Sequence, residues 1–276
     1  MKKTIKIVAI SLLFVSPLIF SMEQGASQSL QSLAKNTTVS TIKKSPSRKS
    51  PSIDLMWAVF ENNIPMVELL LNRGANINAQ DNTTDGWTVL MWAVFENNIP
   101  MVELLLSRGA DINIKDNAGF TALISAVVNK KIDMTKLLLD NGADVNAQNN
   151  IGLTTLMGAV FENSIPMVEL LLNRGADLNI KDNAGFTALM SAVVNKKIDM
   201  VKLLLDRSAD INVQNKAGFT ALMWAVMLGE INIVQLLLAR GANIELKDNQ
   251  GKTAFKIAHQ KNNQAIIKLI EQKKWN

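Results

Sequence analysis

Residues 185–205 read GFTALMSAVVNKKIDMVKLLL, and this stretch decides the fold class. A glycine opens a turn, apolar residues follow from Ala188 to Val193 at helical spacing, and a second apolar run extends from Met200 to Leu205. Such spacing predicts one buried stripe on each of two helices. The polar residues between the runs predict a tight loop. The stretch therefore predicts a helix-turn-helix unit.

The same pattern recurs along the chain at a fixed step. Six turn glycines are each 33 residues apart, namely Gly86, Gly119, Gly152, Gly185, Gly218 and Gly251. A longer period overlies this one, because residues 91–156 and 157–222 are identical at 52 of 66 positions. Self-similarity at such periods predicts a repeat architecture in which each unit contacts only its neighbours.

The repeat resembles that of the ankyrin family, whose unit runs Gly-x-Thr-Pro-Leu-His, Ala-Ala, Gly, Val-x-x-Leu-Leu and Gly-Ala-Asp-Val-Asn. Here it reads Gly218-Phe219-Thr220-Ala221-Leu222-Met223, Ala225-Val226, Gly229, Ile233-Val234-Gln235-Leu236-Leu237-Leu238 and Gly241-Ala242-Asn243-Ile244. The resemblance covers about residues 51–276. It implies an all-α ankyrin-repeat solenoid of about seven stacked helix-turn-helix units with hairpin-like loops, and we assign this domain to residues 53–276.

Departures from the family pattern make local predictions. The tight-loop glycine survives only as Gly229, and the same position elsewhere holds residues for which we expect a left-handed backbone: Asn62, Asn97, Asn163, Asn262, Lys130 and Lys196. Proline is expected to open the second helix in alternate units, at Pro65, Pro100 and Pro166. Aspartate takes that place at Asp133 and Asp199, where it suits the positive end of a helix.

The first 52 residues differ in character from the repeats. Residues 1–21 combine Lys2, Lys3 and Lys6 with an apolar run from Ile7 to Phe20, which predicts a secretory signal peptide cleaved after Ser21. An uncleaved anchor and translation from Met22 are the alternatives. Residues 22–52 are rich in Ser, Thr, Gln and Lys without an apolar period, which predicts a flexible linker.

Composition excludes most catalytic chemistry. The chain has no Cys, no Tyr and one His, so it offers neither a cysteine nucleophile nor a histidine-clustered metal site. His259 is expected to be a solvated residue of the last unit, and Asp116, Asp182 and Asp248 are expected to make turns. We therefore expect no enzyme activity, no catalytic residue, no metal and no cofactor.

The net charge of +5 misleads unless it is divided along the chain. Residues 1–52 hold eight basic residues and one acid, so the remainder is slightly acidic. A basic nucleic-acid-binding domain is not supported.

The resemblance implies which residues bind a partner, because ankyrin proteins bind their partners through a concave face. The positions that line this face form an apolar ridge flanked by acids, and aromatic anchors dominate interface energy. The expected partner-binding residues are Phe60, Trp87, Phe95, Glu96, Phe120, Phe161, Glu162, Phe186 and Phe219. Glu96 and Glu162 are expected to select against acidic partners. The alternative is that the aromatic rings lie against neighbouring units and cover the core.

These observations predict a non-enzymatic protein-binding module that is exported from the cytoplasm, periplasmic or secreted. The expected partner is another protein, bound by a monomer with no nucleic acid and no membrane span after signal cleavage. By analogy with its fold, the chain could be a secreted factor that acts on host proteins. The alternative function is a periplasmic structural or protective scaffold for a sister protein.

Overall fold

The computed structural model of the chain describes residues 51–81 and 85–274. This part of the chain contains fourteen helices and no strand. They are α1 Pro51–Phe60, α2 Ile64–Asn72, α3 Val89–Phe95, α4 Ile99–Ser107, α5 Ala122–Val128, α6 Ile132–Asp140, α7 Thr155–Phe161, α8 Ile165–Asn173, α9 Ala188–Val194, α10 Ile198–Asp206, α11 Ala221–Leu228, α12 Ile231–Ala239, α13 Ala254–Gln260 and α14 Gln264–Lys274.

The helices form seven helix-turn-helix pairs, which confirms the predicted fold class. From α3 onward, both the first and the second helices of successive pairs begin 33 residues apart. The start of α4 lies 35 residues after the start of α2, and the two extra residues of sequence fall between Gly74 and Gly109. We refer to each pair with its following loop as a repeat.

The described residues divide into two compact halves, 51–126 and 127–274. In the N-terminal half, α1 packs on α2 and on α3, and α3 packs on α4. In the C-terminal half, the first helices α7, α9, α11 and α13 pack on one another in that order and each packs on its own second helix. The core of each half therefore lies between successive first helices and beneath the second helices.

Threonine caps the first helix of most repeats. The hydroxyl groups of Thr88, Thr154, Thr187, Thr220 and Thr253 each accept a hydrogen bond from the backbone N–H three residues later. Such a cap satisfies a backbone donor that has no partner inside the helix. Pro65, Pro100 and Pro166 lie in the first two positions of α2, α4 and α8, as predicted.

The loop between the two helices of a repeat has a left-handed residue, which also confirms the prediction. The φ angle is 56° at Asn62, 59° at Asn97 and 58° at Lys130. A side chain is strained in this region unless it can compensate, which is why glycine and asparagine are preferred. Lys130 and Lys196, the two lysines at this position, form ion pairs with Glu162 at 3.2 Å and Glu230 at 2.7 Å.

Hydrogen bonds between side chain and backbone connect the loops of successive repeats. In the C-terminal half, Asn146 Oδ1 accepts from the N–H of Asp177 at 2.8 Å, and Asn179 Oδ1 accepts from the N–H of Asp210 at 2.9 Å. Within the described residues, the hairpin-like features of the loops are the isolated antiparallel bridges Gln80–Thr88 and Gln148–Thr154. Asparagine side chains thus connect successive loops, together with glutamine side chains such as Gln214, whose Nε2 donates to the carbonyl of Lys247 at 2.8 Å.

Burial within the second helices depends on what precedes them. Met101 on α4 is 0% exposed, whereas Met66 at the same position of α2 is 42% exposed. No helix pair within the described residues precedes α1 and α2, so the face of α2 that carries Met66 and Leu69 is uncovered by a repeat. The predicted signal peptide 1–21 and most of the linker 22–52 lie outside the described residues, and α1 begins at Pro51.

Candidate partner-binding surface

The nine predicted partner-binding residues do not share one degree of exposure. Trp87, Phe120 and Phe186 are 8%, 2% and 7% exposed, so their rings offer almost no surface to a partner. Phe95, Phe161 and Phe219 are half-buried, and so is Glu162 as a whole residue, although its side chain is nearly covered; Phe60 and Glu96 are exposed. Burial favours the core-covering alternative for the first three.

Trp87 is held by its neighbours in the N-terminal half. Its ring centroid lies 4.8 Å from that of Trp92 and 5.3 Å from that of Phe95. Its indole N–H is hydrogen-bonded to the Asp116 carboxylate. A buried Trp usually needs such a partner for its polar edge. Trp87 therefore supports the surface above it instead of forming that surface.

Four rings lie at the surface of the N-terminal half, and we call them the aromatic patch: Trp57, Phe60, Trp92 and Phe95. Trp57 and Phe60 on α1 stack with centroids 5.6 Å apart. Phe60 meets Trp92 edge to face at 6.3 Å, and Trp92 meets Phe95 in the same way at 6.3 Å. Helices α1 and α3 thus present a continuous run of ring surface with Trp87 beneath it.

The sequence reasoning missed Trp57 and Trp92. Both occupy one position of the repeat, at which the next three repeats have Ser125, Gly158 and Ser191 before Trp recurs as Trp224. The available signal was that two successive repeats place Trp where the central repeats place small residues. Because Trp and Phe sit one turn apart on α1 and again on α3, the rings meet.

Two exposed acids border the patch at unfavourable places. Glu96 is the C-cap residue of α3, and Glu61 follows the last residue of α1. The C-terminal end of a helix carries partial negative charge and favours cations. The two carboxylates therefore add to a negative potential beside the rings. The N-terminal half as a whole has nine acidic and three basic residues.

The corresponding residues of the C-terminal half are engaged internally. Glu162 forms an ion pair with Lys130, and its side chain is only 8% exposed. Phe186 and Phe219 pack on Trp224, with ring centroids 5.4 Å and 5.2 Å away. Among the nine predicted residues, the two exposed ones, Phe60 and Glu96, therefore lie in the N-terminal half, while Phe161 and Phe219 of the C-terminal half are half-buried.

Loop aspartates make turns, as predicted. Asp182 Oδ1 accepts from the N–H groups of Ala184 and Phe186, both at 2.8 Å, and Asp116 Oδ1 accepts from those of Ala118 and Phe120. Burial raises the pKa of both carboxyl groups above the ordinary value, and the backbone hydrogen bonds oppose this rise. These carboxyl groups have a structural role at the loop tips.

The remaining chemistry of the described residues is sparse. His259 is exposed, and its ring lies 4.5 Å from that of Phe255. Within residues 51–81 and 85–274, no group of three His, Cys, Asp or Glu side chains is arranged to hold a metal ion. Among the helices of this part, none combines the length and apolarity that crossing a bilayer requires.

Comparisons with known proteins agree with the geometry. A family model described as ankyrin repeats matches in three copies, at residues 55–149, 141–215 and 207–275. The crystal structure of the ankyrin repeat domain of Bcl-3, a unique member of the IkappaB protein family, is similar with a TM-score of 0.73 and 31% sequence identity. That match covers 81% of this chain and 100% of the Bcl-3 chain. A search of curated proteins found no match.

Proposed function

The chain belongs to the ankyrin-repeat family, and from this premise we propose that it binds one partner protein through the aromatic patch of its N-terminal half. Ankyrin repeats are non-enzymatic interaction modules, so the general class of function follows from the family. The location on the patch is our inference from exposure. Rings at a surface raise the free energy of the unbound protein unless a partner covers them.

One observation supports this location above the others. Phe60 is 43% exposed, although it belongs to a cluster of rings that could have enclosed it. Rings preorganised by mutual contact lose little conformational entropy on binding, and central aromatic residues dominate interface energy. Phe60, Phe95 and Glu96 are therefore the predicted binding residues that we retain at this site, with Trp57 and Trp92 added. Phe161 and Phe219 remain secondary candidates in the C-terminal half.

The binding proposal is tested by the Phe60→Ser variant. We expect affinity for a partner isolated with the native chain to fall by about 1–3 kcal/mol, because a surface anchor is lost. The melting temperature should stay close to that of the native chain. Affinity is measured by calorimetry on purified partner, and stability by circular dichroism on the same samples.

Leu69→Ser is the matched control, because Leu69 is 41% exposed on α2 and lies outside the patch. It should leave affinity unchanged. Equal loss of affinity in both variants, or full affinity in Phe60→Ser, would refute binding at the patch. Trp87→Ser serves as a second control, since loss of a buried ring should destabilise the fold by about 3–5 kcal/mol.

We further propose that the chain acts after export from the cytoplasm, in the periplasm or outside the cell. The support is the positive start, apolar run and polar exit of residues 1–23. A partner recovered with culture supernatant or host lysate would favour a secreted factor that acts on host proteins. A partner recovered only with the cell envelope would favour a scaffold for a sister protein.

A further inference from the structure

An open pocket borders the aromatic patch between the loops that follow α1 and α3. Its volume is about 460 Å³. It is lined by Val59, Phe60, Asn62, Glu96, Asn97, Asn98, Ile99 and Pro100. We call it the interloop pocket. The pocket thus combines a ring, one carboxylate and several amide groups within the N-terminal half.

The C-terminal half shows what the fold places at the equivalent position. There Lys130 occupies the left-handed loop position, and its Nζ lies 3.2 Å from the carboxylate of Glu162. Glu162 is the C-cap residue of α7, as Glu96 is of α3. The lysine neutralises a carboxylate that the helix end would otherwise disfavour. The ion pair also accounts for the burial of the Glu162 side chain.

The N-terminal half has the carboxylate without the cation. The loop position of Lys130 is taken by Asn62, whose Oδ1 accepts a hydrogen bond from Asn98 Nδ2. Among the described residues, no Lys or Arg forms an ion pair with Glu96, which is exposed. An uncompensated acid at a helix C-terminus breaks a local rule of stability, and such exceptions concentrate at functional sites.

We propose that the interloop pocket binds a lysine or arginine side chain of the partner protein. The partner's cation takes the role that Lys130 has beside Glu162, pairing with the Glu96 carboxylate against the ring of Phe60. Cations are attracted to the face of an aromatic ring, and the six excess negative charges of this half steer a basic segment toward it. This inference rests on the proposed function and adds the chemistry of the partner.

A tethered lysine tests the assignment. Asn62→Lys should place an ammonium in the pocket from inside the chain, since the fold already accepts lysine at the equivalent positions 130 and 196. The probe is a fluorescent peptide in which Leu and Arg alternate, measured by anisotropy against the full chain. We expect Asn62→Lys and Glu96→Gln each to weaken its binding about tenfold or more. Replacing arginine with citrulline in the peptide should do the same.

Asn163→Lys is the matched control, because it adds the same charge at the same loop position in the C-terminal half. It should leave peptide affinity unchanged. Equal effects of the two lysine variants, or equal affinity for the citrulline peptide, would overturn the assignment. So would tighter peptide binding after Lys43, Lys44, Arg48 and Lys49 are replaced by Ser, since the chain's own basic segment would then fill the pocket.

The failures of the two proposals are distinguishable. If Phe60→Ser lowers the affinity for a purified partner but Asn62→Lys, Glu96→Gln and added salt do not, the patch binds protein and the cation assignment is wrong. If Phe60→Ser leaves partner affinity intact, the binding site itself is misplaced, and the cation assignment falls with it.

Discussion

Alternate repeats use Asp and Asn for the same loop turn, which isolates the effect of a charge. Asn215 Oδ1 accepts from the N–H groups of Ala217 at 3.0 Å and Phe219 at 2.9 Å, as Asp182 does from Ala184 and Phe186. The hydrogen-bond geometry is therefore the same with a neutral acceptor. The carboxylate differs in that burial disfavours its charged form.

This difference predicts a pH dependence for Asp182→Asn. The folded pKa of Asp182 is raised above its unfolded value, so its contribution to stability is fully present below the unfolded pKa and is lost as pH rises through the folded pKa. The variant has no such loss. We expect its stability relative to the native chain to increase between about pH 3 and neutrality. Urea denaturation at several pH values measures this difference.

Glu103→Gln controls for the removal of one negative charge, because Glu103 is exposed on α4. A stability difference for Asp182→Asn that does not change with pH, or that changes in the opposite direction, would contradict the assignment. Asp116→Asn should behave like Asp182→Asn, since burial raises the pKa of Asp116 as well.

At the residue scale, the sequence predicted backbone conformation better than exposure. Asn62 and Lys130 were correctly assigned left-handed backbones because the repeat pattern aligns them with Gly229. The burial of Phe120 and Phe186 could not be deduced, because an aromatic residue after a turn glycine can lie on a surface or beneath it. The outcome depends on which side chains surround the ring, and these come from neighbouring repeats.

At the scale of the helix, stacking decides what a methionine contributes. Met101→Ala on α4 should lower the free energy of unfolding by about 2–5 kcal/mol, since the side chain is fully buried. Met66→Ala on α2 removes the same atoms from an exposed position and should cost under about 1 kcal/mol. Thermal or urea unfolding of the two variants measures this difference. Equal losses in the free energy of unfolding would contradict the conclusion that this face of α2 is uncovered.

The helices themselves were predictable, whereas the interloop pocket was not. Turn glycines, threonine caps and prolines placed the helix starts, because each acts on its own backbone. The proposed role of the pocket depends on the absence of a cation beside Glu96. This absence is recognised only by comparison with Glu162, which pairs with Lys130. The missing partner of Glu96 has no signature in the residues next to it in sequence.

At the scale of the whole molecule, charge is divided by region. Residues 1–52 carry eight basic residues and one acid, whereas residues 51–126 carry nine acids and three basic residues. Residues 127–274 carry 18 basic and 14 acidic residues, so the acidic excess of the described part lies in the N-terminal half alone. A positively charged start before an apolar run is typical of a secretory signal peptide. The export prediction therefore rests on residues outside the repeats and is independent of the fold.

Export is tested with a fusion of residues 1–30 to a reporter. We expect the reporter to cross a bacterial inner membrane and to lose the apolar run, with cleavage after Ser21. Leu13→Lys should block export, because a charge interrupts the apolar run that the secretion machinery recognises. Mass spectrometry of the mature N-terminus and cell fractionation provide the measurements. Unchanged localisation of the Leu13→Lys fusion would refute the signal peptide.

The hydrogen bonds between the loops have a consequence for how the number of repeats can change. Each asparagine meets the backbone of the next loop with the same chemistry, at Asn146 with Asp177 and at Asn179 with Asp210. Residues 91–156 and 157–222 are identical at 52 of 66 positions. A loop of one block can therefore form the same hydrogen bond with the loop that follows the other block. An unequal exchange between the two blocks of the gene would add or delete 66 codons in frame. The asparagine side chains of the loops would still find a backbone N–H group in the next loop. A gain or loss of one such block would therefore preserve the hydrogen bonds between neighbouring loops.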